Sequence, residues 1–112
     1  MTARTYRVQV TGQFADLTPT LTRRLLEEQA DHDVLVSAFT PAGTFTYTTS
    51  LTRFTLRYLL EAQDISAVEA DAAVLVDGEL MAVDFLESRE LTHKPLTVSA
   101  VCLQDVKVKR PR

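Results

Sequence analysis

Residues 66–88 read SAVEADAAVLVDGELMAVDFLES, and the folding of this stretch decides the architecture. Ser66 and Glu69 form a capping box, the signature of a helix start. Ala72, Leu75, Val76, Val83 and Leu86 recur at helical spacing. Together they predict a helix from Ser66 to about Ser88. The competing reading is a hairpin over Val74–Met81, because Asp77-Gly78 between apolar runs is a turn signal. The helix is the preferred reading. Gly78 inside it costs about 1 kcal/mol relative to alanine, which packing can absorb.

Outward from this helix the chain reads mostly as strand. Arg53 to Leu60 alternates, with Phe54, Leu56, Tyr58 and Leu60 on one face and Arg53, Thr55, Arg57 and Leu59 on the other. Thr44 to Thr49 is rich in threonine and aromatics, which suits a strand. Pro41-Ala42-Gly43 is turn chemistry, and Val34 to Phe39 is a further strand candidate. Thr18 and Pro19 mark the N-cap and first position of an earlier helix, with Leu21, Leu25 and Leu26 as its apolar stripe. Arg23, Arg24, Glu27 and Glu28 are expected to be mostly solvated. The run Asp31-His32-Asp33 ends that helix. At the N-terminus, Tyr6, Val8 and Val10 alternate with Arg7, Gln9 and Thr11, and Gly12 is expected to end the strand. A last strand runs from Leu96 to about Val108, with Val98, Ala100 and Cys102 facing the core. Residues 106–112 form a basic tail, with Lys107, Lys109, Arg110 and Arg112, that is expected to fray.

The order is therefore β, α, two or three strands, α, β. It predicts an α+β fold of the ferredoxin-like, split βαβ kind, with two helices on one face of a four- to five-stranded, mostly antiparallel sheet. That topology needs an even number of strands between the helices, and the sequence offers three. Either Val34 to Phe39 is partly irregular or the sheet has an extra strand. The length of 112 residues suits one domain spanning 1–112.

Several segments also resemble a known family. They are the opening R-T-Y-R-V-x-V-x-G-x-F, the later L-T-P, the centre H-D-V-L-x-x-A-F-T-P-x-G-T-F-T-Y with F-T-L-R, and the ending L-T-V-S-A with D-V-K-V-K-R. In this order they resemble a family of short actinobacterial proteins carrying a domain of unknown function. The resemblance implies a bacterial cytoplasmic protein with a small α+β fold, and it implies no activity or catalytic residue.

Composition excludes several function classes. Hydrophobic content of 46% with a net charge of −3 excludes a disordered chain and argues against a protein that grips nucleic acid. No apolar run reaches the ~20 residues needed to span a bilayer. The N-terminus lacks the apolar run of a signal peptide. One cysteine cannot form an internal disulfide, which fits a cytoplasmic location. With only three glycines there is no phosphate-binding glycine loop.

The residues with reactive side chains are few. Asp31-His32-Asp33 could bind a metal, but consecutive residues rarely converge, and the plainer reading is a solvated helix end. His32 and His93 are expected at opposite edges of the sheet, so no metal site or cofactor is expected. Cys102 reads as a buried thiol, since no histidine or base lies beside it in sequence. Residues 64–90 hold eight acids and one base, Arg89, which gives the second helix an acidic outer face.

The uncovered sheet face is the most informative feature. It combines Arg7, Gln9, Thr11, Arg53, Thr55, Arg57, Thr97 and Ser99 with Leu59, Val101 and Leu103. The expected site is Arg7, Gln9, Thr55, Arg57 and His93, with the arginines aimed at an anionic or carbonyl-bearing ligand. The expected function is a non-catalytic homodimeric domain that binds a small molecule or a protein partner through this face. The alternative is a cofactor-independent cyclase, isomerase or oxygenase, with His93, Glu61 or an arginine as its acid or base. A third reading is a structural interaction module that uses the acidic helix.

Overall fold

The computed structural model describes residues 4–62 and 66–103. The basic tail and the last part of the predicted final strand lie outside the described residues. The elements are β1 (Arg4–Ala15), α1 (Pro19–Glu28), β2 (Thr44–Tyr47), β3 (Arg53–Ala62), α2 (Ala67–Ser88), β4 (Thr92–His93) and β5 (Thr97–Cys102). The fold is α+β, with two α-helices and five strands among the described residues. All the strand pairings are antiparallel, in the order β2–β3–β1–β4, with β5 also paired to β1.

Residues 66–88 are a helix. The Ser66 hydroxyl accepts from the Glu69 N–H at 3.2 Å, as the capping box requires. Its C-terminus closes without a glycine. Glu90 takes a left-handed φ of 60° while Leu91 N–H donates to the Leu86 carbonyl and Glu90 N–H to that of Glu87. This is the Schellman pattern, and buried Leu91 and Leu86 supply its apolar contact.

The buried face of α2 differs from the expected one. Ala70, Val74, Gly78, Ala82 and Leu86 face the sheet, while Ala72 and Val76 are exposed. The reason is steric. The sheet presents large side chains, so α2 turns a ridge of mostly small residues toward it. A Cβ on Gly78 would stand 2.6 Å from Val8 Cγ1. Asp77-Gly78 therefore marks where helix and strand approach closely, and makes no turn.

The core lies between α2 and one sheet face. Tyr6, Val8 and Val10 of β1 alternate inward beside Phe54, Leu56 and Tyr58 of β3, Phe45 and Tyr47 of β2, and Cys102 of β5. Each such side chain contributes roughly 1.5–3 kcal/mol by leaving water. The Tyr6 hydroxyl donates to Asp71 Oδ1 at 2.5 Å, tying β1 to α2. Burial first, and then the Asp71 carboxylate, push the Tyr6 phenol up. Burial likewise raises Tyr58 to about 12, and burial with the nearby Glu28 charge raises Tyr47 to about 12. The Tyr47 hydroxyl donates to the Leu25 carbonyl at 2.5 Å, which places α1 on the same side as α2.

Three local expectations are corrected. Gly12 does not end β1, which continues to Ala15. A side chain at Gly12 would meet the Phe54 ring at 2.6 Å and Leu96 at 2.7 Å, so glycine marks crowding there. Val34–Phe39 is not a strand. Val34–Val36 is a 3₁₀ turn capped by Asp33, and only Thr40 makes an isolated parallel bridge, to Tyr58. That irregularity leaves two strands between the helices, with the extra strand, β4, after α2. Finally, the end of α1 is only partly solvated: Asp31 is exposed, but its neighbours pack inward. His32 packs its ring against Tyr47 and Phe45 and holds the Phe45 carbonyl at 2.9 Å, while Gln29 donates to the Tyr47 carbonyl at 3.0 Å. These contacts cover the outer edge of β2, which would otherwise invite strand pairing. Glu28 and Arg24 are tied in as well, Glu28 to Arg89 at 3.3 Å and Arg24 to the Arg89 carbonyl at 2.5 Å.

Candidate functional site

The sheet face opposite α2 presents the odd-numbered residues of β1, β3 and β5. Gln9 stands beside Arg57, Thr11 beside Thr55 and Gln13 beside Arg53. Beyond β1 lie Thr97, Ser99 and Val101. Among the described residues, four cations (Arg7, Arg53, Arg57 and Lys94) share this side with one strand carboxylate, Glu61 at the exposed end of β3. The acids of α2 lie on the other side, so the molecule has a basic face and an acidic face although its net charge is only −3.

A break in the last strand shapes this face. His93 pairs with Phe14 and Thr97 with Thr11. Lys94, Pro95 and Leu96 therefore stand opposite only Gly12 and Gln13. One residue is in excess, and Pro95 has no N–H to give to a ladder. Lys94 N–H still reaches the Gln13 carbonyl at 3.0 Å. The chain bows outward and leaves a hollow of about 230 Å³ lined by Thr11, Gly12, Gln13, Arg53, Lys94, Pro95 and Thr97. Arg53 and Lys94 are exposed and make no ion pair among the described residues.

The five expected site residues do not converge. Arg7, Gln9, Thr55 and Arg57 do share the open face. Arg57 donates to the Thr46 hydroxyl at 2.9 Å, and the Arg7 guanidinium lies 5.6 Å from the centre of the Phe39 ring. His93 is elsewhere. It lies opposite Phe14 on the helix-covered side, its ring 6.4 Å from Phe54 and its Nδ1 2.7 Å from the Lys94 carbonyl. His32 and His93 stand at opposite edges of the sheet, by β2 and in β4. Cys102 is buried opposite Tyr6. Arg53 and Lys94, which line the hollow, were not among the expected residues. The usable sequence signal was Pro95, a residue that sheets admit only at an edge, a strand start or a bulge.

A second hollow of about 270 Å³ lies along the outer edge of β2, between Asp31, His32, Phe45, Phe85 and Arg89. Two of its polar groups are engaged within the fold: His32 with the Phe45 carbonyl, and Arg89 with Glu28 and stacked on Phe85.

No helix among the described residues is long and apolar enough to cross a membrane. Residues 1–112 match the model of a family of unknown function (DUF6204), and the chain belongs to that family. No curated protein and no solved structure matches it.

Proposed function

We propose that this member of the family is a binding domain whose open sheet face takes a small anion, a carboxylate- or phosphate-bearing molecule. The observation that carries the reading is the hollow beside Pro95. Two cations without an ion pair among the described residues face it, hydroxyls and an amide line it, and none of its described lining residues is a carboxylate. Charge-assisted hydrogen bonds from an arginine fork and a lysine are the strong, geometrically defined means of holding such groups. Arg57, Gln9 and Thr55 extend the polar floor toward the centre of the sheet and would take the rest of a larger ligand. The described lining offers fixed charge from Arg53 and Lys94 with hydrogen bonds from Thr11, Gln13 and Thr97, the means of holding an anion.

The same proposal includes a homodimer. Two open faces brought together would enclose the hollow and cover Leu59, Val101 and Leu103. The anion would offset repulsion between the two sets of cations.

The test titrates the protein with inorganic phosphate and with succinate, followed by amide chemical shifts and sedimentation. Saturable shifts centred on Thr11, Gln13 and Thr97 are expected. Arg53→Gln and Lys94→Gln should each weaken binding about tenfold, the loss of one charge-assisted bond. Unchanged affinity in the double variant would overturn the reading. A monomer at saturating anion would remove the dimer and leave the site.

A further inference from the structure

α2 is apolar on two sides, and the sheet uses only one of them. A contiguous apolar stripe left exposed on a helix marks a surface for a partner. On the side away from the sheet, Val76 and Leu80 are 58% and 57% exposed, and Ala73 and Val83 are half-buried. Their spacing is three, four, three, the repeat with which one helix seats another. Val68, 79% exposed, and Ala72 add apolar surface beside its N-terminal end, where Glu69 closes the line of the repeat. From Ala73 to Val83 it runs about 15 Å, at 1.5 Å per residue.

The charges beside the stripe identify its occupant. Asp77 and Asp84 flank one side and Glu79 the other, all exposed. These are the positions that set partner choice in helix pairs. From Ala67 to Ser88 there is no lysine or arginine, so nothing on the helix neutralises them. A second copy of α2 laid along the stripe would set these acids against their own counterparts, which is destabilising.

We infer that the outer face of α2 is a docking surface for an amphipathic helix of a different protein, with aliphatic residues at its seam and lysine or arginine at the flanking positions. The seam would supply attraction and the flanks would supply selection. The surface is on the opposite side of the molecule from the anion site, so one domain would carry ligand and partner on separate faces.

The test uses three synthetic helical peptides. One has leucine at the seam and lysine at the flanks, one has glutamate in place of the lysine, and one has the lysine peptide's composition with the seam scrambled. The full chain should bind the first saturably and the other two at least tenfold more weakly. Amide shifts should change along residues 73–84. Val76→Ser with Leu80→Ser should lose the binding, and because both positions are exposed this variant should fold. Asp77→Lys with Glu79→Lys and Asp84→Lys should switch preference to the glutamate peptide. The inference is overturned if the lysine peptide fails to bind, if the serine variant binds it unchanged, or if the shifts fall on the open sheet face. It is equally overturned if the chain alone dimerises and the serine variant abolishes the dimer, since a second copy would then be the occupant.

Discussion

Gly78→Ala should destabilise this protein, although glycine to alanine inside a helix ordinarily stabilises. The propensity gain is about 1 kcal/mol. Against it stands the new methyl, 2.6 Å from Val8 Cγ1, where carbon atoms rest comfortably at about 3.5–4.0 Å. Roughly 1 Å must be found. Val8 cannot supply it cheaply. It is wholly buried in the middle of β1, between Tyr58 and Ala100, and a β-branched side chain leaves its rotamer only at a cost. Lifting α2 instead would loosen Ala70, Val74, Ala82 and Leu86 together. Overpacking of this kind costs about 1–3 kcal/mol. The net expectation is a loss of about 1 kcal/mol, read as a lower urea midpoint and a Tm reduced by roughly 4 °C. The decisive measurement repeats the substitution in a Val8→Ala background. With the valine methyls gone the clash is gone, and Gly78→Ala should become stabilising. The reasoning fails if Gly78→Ala stabilises the native sequence, or if its sign does not change in the second background. A sign that stays destabilising is what a hairpin turn at Asp77-Gly78 would give, since alanine would then be strained by backbone angle whatever stands at position 8.

Two further outcomes follow from the same contacts. Glu90→Gly should raise stability by about 1 kcal/mol in urea unfolding, because a left-handed residue with a Cβ costs roughly 1–2 kcal/mol and glycine removes that penalty; no gain would mean that the helix end is not the Schellman turn described. Alkaline unfolding should follow the buried phenols. Tyr47 and Tyr58 titrate at about 12 when folded and near 10 when unfolded, so the stability they contribute is complete below pH ~10 and lost as pH rises toward ~12. Phenolate absorbance should rise together with loss of secondary structure, and phenols titrating near 10 in an intact fold would refute the burial argument.

Much of the fold was legible because its strands are amphipathic in the plainest way. From Arg53 to Tyr58, β3 alternates aromatic and aliphatic residues with charges and threonine, and a period of two leaves no doubt about which side faces inward. The capping boundaries of α1 and α2 were legible for the same local reason. Thr18 and Ser66 satisfy their helices' orphan N–H groups with their own hydroxyls, and that chemistry needs only the next few residues. Val34–Phe39 misled because a run of branched apolar residues says only that the segment avoids water. The Asp33 side chain bonds the Leu35 N–H, offering a local alternative to the sheet.

What sequence could not settle was decided by fit between distant elements. α2 has apolar residues enough for two faces. Periodicity alone favoured the one with larger side chains, through Ala72 and Val76, yet the helix buries Ala70, Val74, Gly78 and Ala82. That choice belongs to the sheet, where Tyr6, Phe54 and Tyr58 already fill the volume and admit only small residues above Val8. The candidate site was hidden by the same kind of distant count. Whether Lys94 joins Arg53 depends on three residues in one strand facing two in another, and such an excess exists only once the register of both is fixed. The two features then bear on one another. Because the sheet takes the small-residue face of α2, Val76 and Leu80 are left outward among acids. Because β4 and β5 are bowed apart at Pro95, Lys94 joins Arg53 on the opposite side. A change that rotated α2 to bury Val76 would remove the docking stripe and force the sheet to repack, while the anion site, which touches no residue of α2, would lose only what the sheet itself lost.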